Sequence, residues 1–206
     1  TGQNLSEGDV LIGLPSSGIH SNGYTLVRAV IERSGCSLED PCPFDPSHSS
    51  REIERFSEAG THPTLAEVLL TPTRIYVDPV VDLVLDSRQE GGVVGPGSIK
   101  AIAHITGGGL SNLLRLHESL GWHIDRPLDP QPEFAWISEV GSVAAVEMHR
   151  TFNMGMGMVV AVSEDSAVAA EEWLGNRLPG SRSVGRVVDN GRLVTHSDPD
   201  VLFSHY

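Results

Sequence analysis

The sequence is poor in several residue types, and its shortage of basic residues excludes one class of partner. Lys100 is the only lysine, and Lys and Arg together number 14 against 27 Asp and Glu, which gives a formal net charge of -13. Non-specific binding of nucleic acid needs basic surface to displace counterions. We therefore expect no nucleic-acid partner, and an anionic ligand has to be held by backbone N–H groups and a few arginines.

Cysteine is also scarce. Cys36 and Cys42 are the only two, which is too few for a disulfide scaffold, and reduced thiols are expected. Together with His48 and His62 they could suggest zinc, but neither pair has the close spacing of a structural zinc site. We predict no metal site in this chain.

Long apolar runs are missing as well. No stretch approaches the roughly 20 residues of a membrane span, and residues 1–9 are polar, unlike a signal peptide. Hydrophobic residues still make up 39% of the chain, so it can bury a core. We expect a cytoplasmic protein without a membrane partner.

Strand and helix patterns alternate along the chain. A buried strand at 9–14 runs into a glycine turn, and a helix with Ser21 or Asn22 as its N-cap follows and stops at Gly35. Residues 36–63 are rich in proline and serine and predict a long surface segment, with a helical turn near 52–56. The further predicted strands are 99–105, 122–125, 158–162, 183–188 and 192–195. The further predicted helices are 65–70, 79–85, one starting at 109, 133–140, 143–149 and 166–174.

This alternation predicts an α/β (α+β) fold with one mixed β-sheet and helices packed on it. No linker divides the chain into two plausible cores, so we expect residues 1–206 to form a single domain. The last two strands flank Asn190-Gly191 and predict a closing hairpin.

Three loops combine glycines with hydroxyl or amide side chains beside a predicted strand end: 16–23, 104–109 and 151–157. Glycine lets a backbone approach a ligand closely, and a helix start directs free N–H groups toward anions. Each loop alone is weak evidence, since glycine turns are common structural devices. The chain has neither a P-loop nor a dinucleotide-binding fingerprint.

His20 is the most interesting titratable residue, because an imidazole beside a helix start can donate a hydrogen bond or carry a proton near neutral pH. Equally, it can bond a neighbouring carbonyl and simply hold the turn. Asn22 and Asn153 either orient a ligand or cap the backbone. Arg74 is more readily explained by an ion pair with a carboxylate than by an anionic ligand.

Other candidate residues have structural explanations. We expect His104 to satisfy a structural hydrogen bond within its strand. The residues expected at the surface are His48, His196 and His205. The residues expected in the core are Met154, Met156 and Met158.

Four motifs in the same order resemble the C-terminal domain of the phosphoribosylformylglycinamidine cyclo-ligase family. They are GDVLIGLPSSGIHSNGY at 8–24, LTPTRIY at 70–76, AHITGGG at 103–109 and MHRTFNMGMG at 148–157. The match spans about residues 5–195, and its departures lie mostly at 36–63 and 89–98. The family commonly has cysteine and valine where Met154 and Met156 stand, which argues against functional roles for these two side chains.

The resemblance implies a two-domain ligase of purine synthesis. Such an enzyme uses ATP and Mg²⁺ to close the imidazole ring of formylglycinamidine ribonucleotide, and it releases aminoimidazole ribonucleotide, ADP and phosphate. An N-terminal domain would hold most of the ATP site and the homodimer contact, so we expect this chain alone to be inactive. The parent chain can be fused to glycinamide ribonucleotide synthetase.

Carried over by motif, His20 and Asn22 are the catalytic candidates, and His20 would handle a proton or bond the activated oxygen. The residues assigned to substrate or phosphate are Ser17, Ser21, Gly23, Thr106, Gly107, Gly108, Gly109, Asn153 and Gly155. The alternatives are another ATP-using member of the superfamily (formylglycinamidine synthetase, selenophosphate synthetase or thiamin-phosphate kinase) and a non-catalytic interaction domain.

Overall fold

A single mixed sheet organises the computed structural model, which describes residues 2–50 and 62–206. Its strands are β1 (Val10–Pro15), β2 (Ile99–His104), β3 (Gly121–Ile124), β4 (Met156–Val162), β5 (Arg182–Val188), β6 (Val194–His196) and β7 (Leu202–Phe203). They lie in the order β2-β4-β1-β5-β3-β6-β7. Neighbours are antiparallel except for β3 and β6, which are parallel. The predicted fold class is confirmed, and the helical turn predicted at 52–56 lies outside the described residues.

Six α-helices and two 3₁₀ helices accompany the sheet in the described part of the chain. The α-helices are α1 (Tyr24–Ser34), α2 (Leu65–Leu69), α3 (Val77–Asp86), α4 (Pro132–Gly141), α5 (Ala145–Thr151) and α6 (Ala167–Arg177), and the 3₁₀ helices are Gly109–Arg115 and Glu164–Ser166. None of these helices combines the length and the apolar character of a membrane span.

Four of the strands, β1, β2, β4 and β5, form a split βαβ arrangement with α3 and α6, two helices on one face of the sheet, and β3 is an insertion between β2 and β4 in sequence. On this face, Val80 and Leu83 of α3 and Leu174 of α6 pack with Ile12 and Val160. On the opposite face, the side chains of Trp122 in β3 and Phe203 in β7 belong to one buried cluster with those of the first 3₁₀ helix, Leu110, Leu113 and Leu114. Burial of apolar area on both faces stabilises the sheet.

A third apolar cluster lies beside the sheet and joins four helices. It contains Val27 of α1, Val68 of α2, Phe134 of α4 and Met148 of α5, together with Phe152. Phe152 is fully buried and belongs to loop 151–157, so this helical cluster anchors one of the three predicted site loops.

The prediction that strands 183–188 and 192–195 form a hairpin is wrong. β3 lies between β5 and β6, and it pairs with both. Trp122 of β3 is fully buried in the core, so insertion of β3 covers a large indole that a direct hairpin would leave outside the sheet. Hydrophobic periodicity carries no information on which strands are neighbours.

The helix predicted from Gly109 is a 3₁₀ helix rather than an α-helix. Two side chains within it bond the carbonyls of the preceding turn. Ser111 Oγ donates to Gly108 O at 2.7 Å, and Asn112 Nδ2 donates to Gly107 O at 3.1 Å and to Gly109 O at 2.9 Å. These local bonds compete with α-helical hydrogen bonding.

Candidate functional site

The three glycine loops meet at one end of the sheet. β1 and β2 both run antiparallel to β4, so the ends of β1 and β2 and the start of β4 lie at the same edge. Loop 16–23 follows β1, loop 104–109 follows β2, and loop 151–157 leads into β4. The three loops that the sequence singled out therefore lie together in the structure.

Two asparagine side chains connect these loops. Asn22 Oδ1 accepts a hydrogen bond from Gly107 N at 3.1 Å, and its Nδ2 donates to His20 O at 3.0 Å. Asn153 is buried, with Nδ2 donating to Gly18 O at 2.8 Å and Oδ1 accepting from Gly155 N at 3.0 Å. Asn153 therefore positions the loops, and Asn22 occupies a backbone N–H of the loop that was predicted to bind phosphate.

The predicted N-cap of α1 is wrong. Its N-cap is Gly23, which has a left-handed φ of 70° and makes no side-chain capping bond. Asn22 serves the loop contacts instead, and Gly35 ends the helix as predicted. A side chain at position 23 would collide with Phe152, because a Cβ there would lie 2.3 Å from Phe152 Cε1.

Loop 16–23 has a constrained backbone. His20 and Ser21 have φ values of 55° and 61°, in the left-handed region that costs about 1–2 kcal/mol per residue for side chains of this kind. Such strain persists where surrounding contacts fix the conformation, and it is concentrated at functional sites. Here the fixing contacts come from Gly107, Asn153 and the residues around the His20 ring.

The His20 ring is buried, with 5% of the residue exposed. Its Nε2 lies 2.9 Å from Ser17 N and 3.3 Å from Arg74 N, both of which donate to it. Ser17 Oγ lies 3.0 Å from the same nitrogen and donates to Pro72 O at 2.7 Å. Nδ1 is buried and has no hydrogen-bond partner among the described residues.

Burial, reinforced by the charges of the neighbouring His104 and Arg74, lowers the pKa of His20 to about 4. The ring is therefore neutral at physiological pH. This disfavours the hypothesis that His20 carries a proton near neutrality and leaves its hydrogen-bonding role.

Arg74 does not make the predicted ion pair with any carboxylate in residues 2–50 or 62–206. Its guanidinium donates to Ser50 O instead, while its backbone N–H is directed to His20. Arg74 and Ser17 line a cleft of about 930 Å³ together with residues 71–73 and Arg177. Glu67 lines the same cleft, and Ser17 is the residue of the three loops that reaches it.

Sequence reasoning missed two buried polar residues at the start of α4. Gln131 is fully buried, and its Nε2 donates to Ser16 O and Ser50 Oγ, both at 2.7 Å. Ser16 Oγ in turn donates to Gln131 Oε1 at 3.0 Å. Glu133 is also fully buried, and a Cβ at Gly18 would lie 3.1 Å from its Oε1.

A sequence signal for Gln131 exists. It stands between Pro130 and Pro132, and proline is favoured at the first position of a helix. The preceding residue is then extended, and Gln131 is indeed the N-cap of α4, with φ −64° and ψ 151°.

Three histidine predictions need correction. His104 is exposed, has no described hydrogen-bond partner, and presents its ring to Tyr76 at a centroid distance of 6.3 Å. His196 is half-buried against His149, with centroids 4.8 Å apart, and burial followed by the charge of His149 lowers the pKa of His196 to about 4. His48 is half-buried, with Nδ1 2.7 Å from Ser50 Oγ. His205 is exposed as predicted.

The methionine prediction is confirmed. Met156 is buried in the cluster with Leu110 and Trp122, Met158 packs against the cluster on the other face of the sheet, and Met154 packs against the helical cluster. Within the part of the chain that the structure describes, no cluster of three or more His, Cys, Asp or Glu side chains is arranged to hold a metal ion.

This fold and site define the class of protein: a split βαβ domain that gathers three polar glycine loops at one end of its sheet. The family model described as "AIR synthase related protein, C-terminal domain" matches residues 6–198. The chain belongs to this family.

Relatives agree with the family assignment. The chain is 41% identical over 190 residues to the phosphoribosylformylglycinamidine cyclo-ligase of Methanosarcina acetivorans, covering 92% of this chain and 47% of that protein. It is 44% identical over 169 residues to the chloroplastic/mitochondrial cyclo-ligase of Vigna unguiculata, covering 81% of this chain and 37% of that protein. The chain thus spans half or less of the length of these relatives.

A solved structure shares the fold. The hydrogenase maturation protein HypE superposes with a TM-score of 0.52 at 17% identity, over 100% of this chain and 55% of that chain. At this identity the likeness shows the fold alone.

Proposed function

We propose that residues 1–206 are the C-terminal domain of a phosphoribosylformylglycinamidine cyclo-ligase. The complete enzyme would convert formylglycinamidine ribonucleotide and ATP into aminoimidazole ribonucleotide, ADP and phosphate. The meeting of the three motif-bearing loops at one edge of the sheet, where Asn22 and Asn153 bond them together, carries this proposal. The names of relatives about 40% identical to this chain supply the reaction.

The anionic end of the substrate would be bound between Arg74 and loop 104–109. Gly109 N already donates to Thr106 O at 2.7 Å, and Gly107 N donates to Asn22 Oδ1 at 3.1 Å. A phosphate oxygen could take the place of the Asn22 amide oxygen on Gly107 N, since both are hydrogen-bond acceptors. Asn22 would then close the loop in the free protein and move aside when substrate binds.

Replacement of Asn22 tests this exchange. Asn22→Asp keeps the shape but places a carboxylate against Gly107 N. The carboxylate holds this N–H more strongly and repels a phosphate, so we expect binding of the ribonucleotide to weaken roughly ten-fold or more. Asn22→Ala removes the competing acceptor and frees the N–H, so binding should not weaken. If the Asp variant bound as tightly as the wild type, the phosphate would lie elsewhere.

The other half of the enzyme would pack near α3. On α3, three apolar residues spaced four apart are exposed: Val77, Val81 and Leu85. Exposed Ile75 and Leu70 continue this apolar surface toward the cleft. Asp78 and Asp82 lie beside this stripe and are exposed. Like-charge repulsion in a chain of net charge -13 disfavours a second copy of this chain on the same surface, and favours a partner with apolar and basic residues.

We propose that this other half, the N-terminal domain, holds most of the ATP and Mg²⁺, and that the complete enzyme is a cytoplasmic homodimer. This chain would then bind the ribonucleotide without converting it. Formation of aminoimidazole ribonucleotide by the isolated chain with ATP and Mg²⁺ would overturn this division of labour.

Titration calorimetry tests the proposed function. The ligands are formylglycinamidine ribonucleotide, its nucleoside without phosphate, and thiamin phosphate as the substrate of a rival activity. We expect the first to bind most tightly, and Arg74→Gln to weaken its binding about ten-fold through loss of a charged hydrogen bond. Arg28→Gln, an exposed change on α1 with the same loss of charge, is the matched control and should bind as the wild type does.

A further inference from the structure

We propose that His20 acts as a neutral hydrogen-bond donor, and that its Nδ1–H binds an oxygen of the ligand. The identity of that ligand rests on the proposed function, whereas the protonation state of the ring does not. This role differs from that of an acid or base, which needs a nitrogen that exchanges its proton during the reaction.

The tautomer follows from the contacts of Nε2. Two backbone N–H groups, those of Ser17 at 2.9 Å and Arg74 at 3.3 Å, donate to this nitrogen. Nε2 must therefore present its lone pair. In a neutral imidazole the proton then lies on Nδ1. Ser17 Oγ does not alter this assignment, because its own proton is directed to Pro72 O at 2.7 Å.

The N–H group at Nδ1 has no acceptor among the described residues. It is buried without a hydrogen-bond partner in the described residues, and buried polar groups are normally paired. An N–H group can only be completed by an acceptor, so the fitting ligand group is a carbonyl, amide or phosphoryl oxygen, reached directly or through one water molecule. An ammonium or amide N–H group would not fit.

The surroundings keep the ring in this state. The titratable groups around it are His104, Arg74 and Tyr76, and the cationic forms of the first two oppose a second positive charge. Protonation of Nε2 would also break its contacts with the N–H groups of Ser17 and Arg74. The ring can thus donate from Nδ1 throughout the neutral range without titrating.

Nitrogen NMR of the ¹⁵N-histidine-labelled chain decides the tautomer without any ligand. The His20→Asn variant identifies the His20 signals by their loss. We expect a protonated Nδ1 and an unprotonated Nε2, with shifts that stay constant between about pH 5.5 and 8. A protonated Nε2, or titration near pH 6.5, would overturn the proposal.

Two amide substitutions test the donor itself. The amide introduced by His20→Asn would lie near the position of Nδ1, whereas the longer side chain introduced by His20→Gln would place its amide near Nε2. Only His20→Asn therefore keeps a donor in the proposed place. We expect His20→Asn to retain ribonucleotide affinity within about three-fold, and His20→Gln to lose roughly ten-fold or more, the equivalent of one hydrogen bond. Equal loss in both variants, with both folded by circular dichroism, would contradict the role.

Failure of the two proposals can be distinguished. If the wild type does not bind the ribonucleotide, the proposed function and the target of the donor both fail, while the NMR spectrum still decides the tautomer. If the wild type binds and His20→Gln binds equally well, the donor role fails and the proposed function stands.

Discussion

The buried ring of His20 couples the stability of the protein to pH. Its pKa is about 4 in the folded state against 6.5 for an unperturbed histidine. Between these pH values the unfolded chain binds the proton more readily, so the free energy of unfolding falls as the pH falls. The contribution of the neutral ring is complete above about pH 6.5 and is lost by about pH 4.

Chemical denaturation at a series of pH values measures this effect. We expect the wild type to lose, relative to His20→Asn, on the order of 3 kcal/mol between pH 7 and 4. His196 contributes a similar but smaller loss in both proteins, because it is more exposed and its pKa is also lowered to about 4. Parallel pH profiles for the two proteins would show that burial does not hold His20 neutral.

Gln131 should be important for stability although it lies outside every motif. Gln131→Leu would leave Ser16 O and Ser50 Oγ without their donor, and buried unsatisfied groups cost about 1–3 kcal/mol each. We expect the free energy of unfolding to fall by roughly 2–4 kcal/mol in urea denaturation. Gln89→Leu, at an exposed position, is the matched control and should change it by less than about 0.5 kcal/mol.

Glycine is required at position 157 because the side chains of Tyr76 and His20 approach its backbone closely. A Cβ there would lie 2.0 Å from Tyr76 Oη and 2.9 Å from His20 Cε1. Gly157→Ala should therefore lower the melting temperature, and Tyr76→Phe in the same chain should restore part of the loss by removing the hydroxyl. Gly95→Ala is the control, since the nearest atom to its Cβ would be Ser98 Oγ at 3.6 Å. Absence of any rescue would mean that the clash is not with the hydroxyl.

At the scale of elements, helix α3 has two apolar surfaces of different function. Leu83 is buried between α3 and the sheet with 1% exposed, whereas Leu85 is 49% exposed. Leu83→Ala should cost about 2–5 kcal/mol through lost burial and a cavity. Leu85→Ala should change the stability of this chain by less than about 0.5 kcal/mol. Equal losses in thermal unfolding would contradict the description of α3.

Most elements could be predicted from local pattern. The strand at 9–14 is an apolar run because it is buried on both faces, and α1 ends at Gly35 because glycine readily adopts the left-handed conformation found there. The errors have non-local causes: Gly23 rather than Asn22 caps α1 because Asn22 bonds Gly107, and β3 separates β5 from β6 because Trp122 requires cover. Neither partner is near in sequence.

The candidate site divides in the same way. Glycine and polar residue types singled out the three loops, and the parallel course of β1 and β2 brings these loops together. The tautomer of His20, the lack of a described acidic partner for Arg74 and the buried Gln131 depend on contacts between residues distant in sequence. No local pattern specifies such contacts.

At the scale of the whole molecule, the central claim is that three loops form one ligand site. The relatives are about twice as long as the matched region, so under the proposed function the remaining half would complete a site to which this chain contributes three loops. Asn22 and Asn153 hold the loops in contact in this chain. Ligand binding should therefore change the surroundings of the backbone amides in all three loops at the same time.

Amide NMR of the ¹⁵N-labelled chain during titration with formylglycinamidine ribonucleotide tests this claim most directly. We predict that the amide signals of Ser17, Gly107 and Gly155 shift along one binding curve with a single dissociation constant. Shifts confined to one loop, three different curves, or no shift at ligand concentrations up to about 1 mM would contradict a shared site.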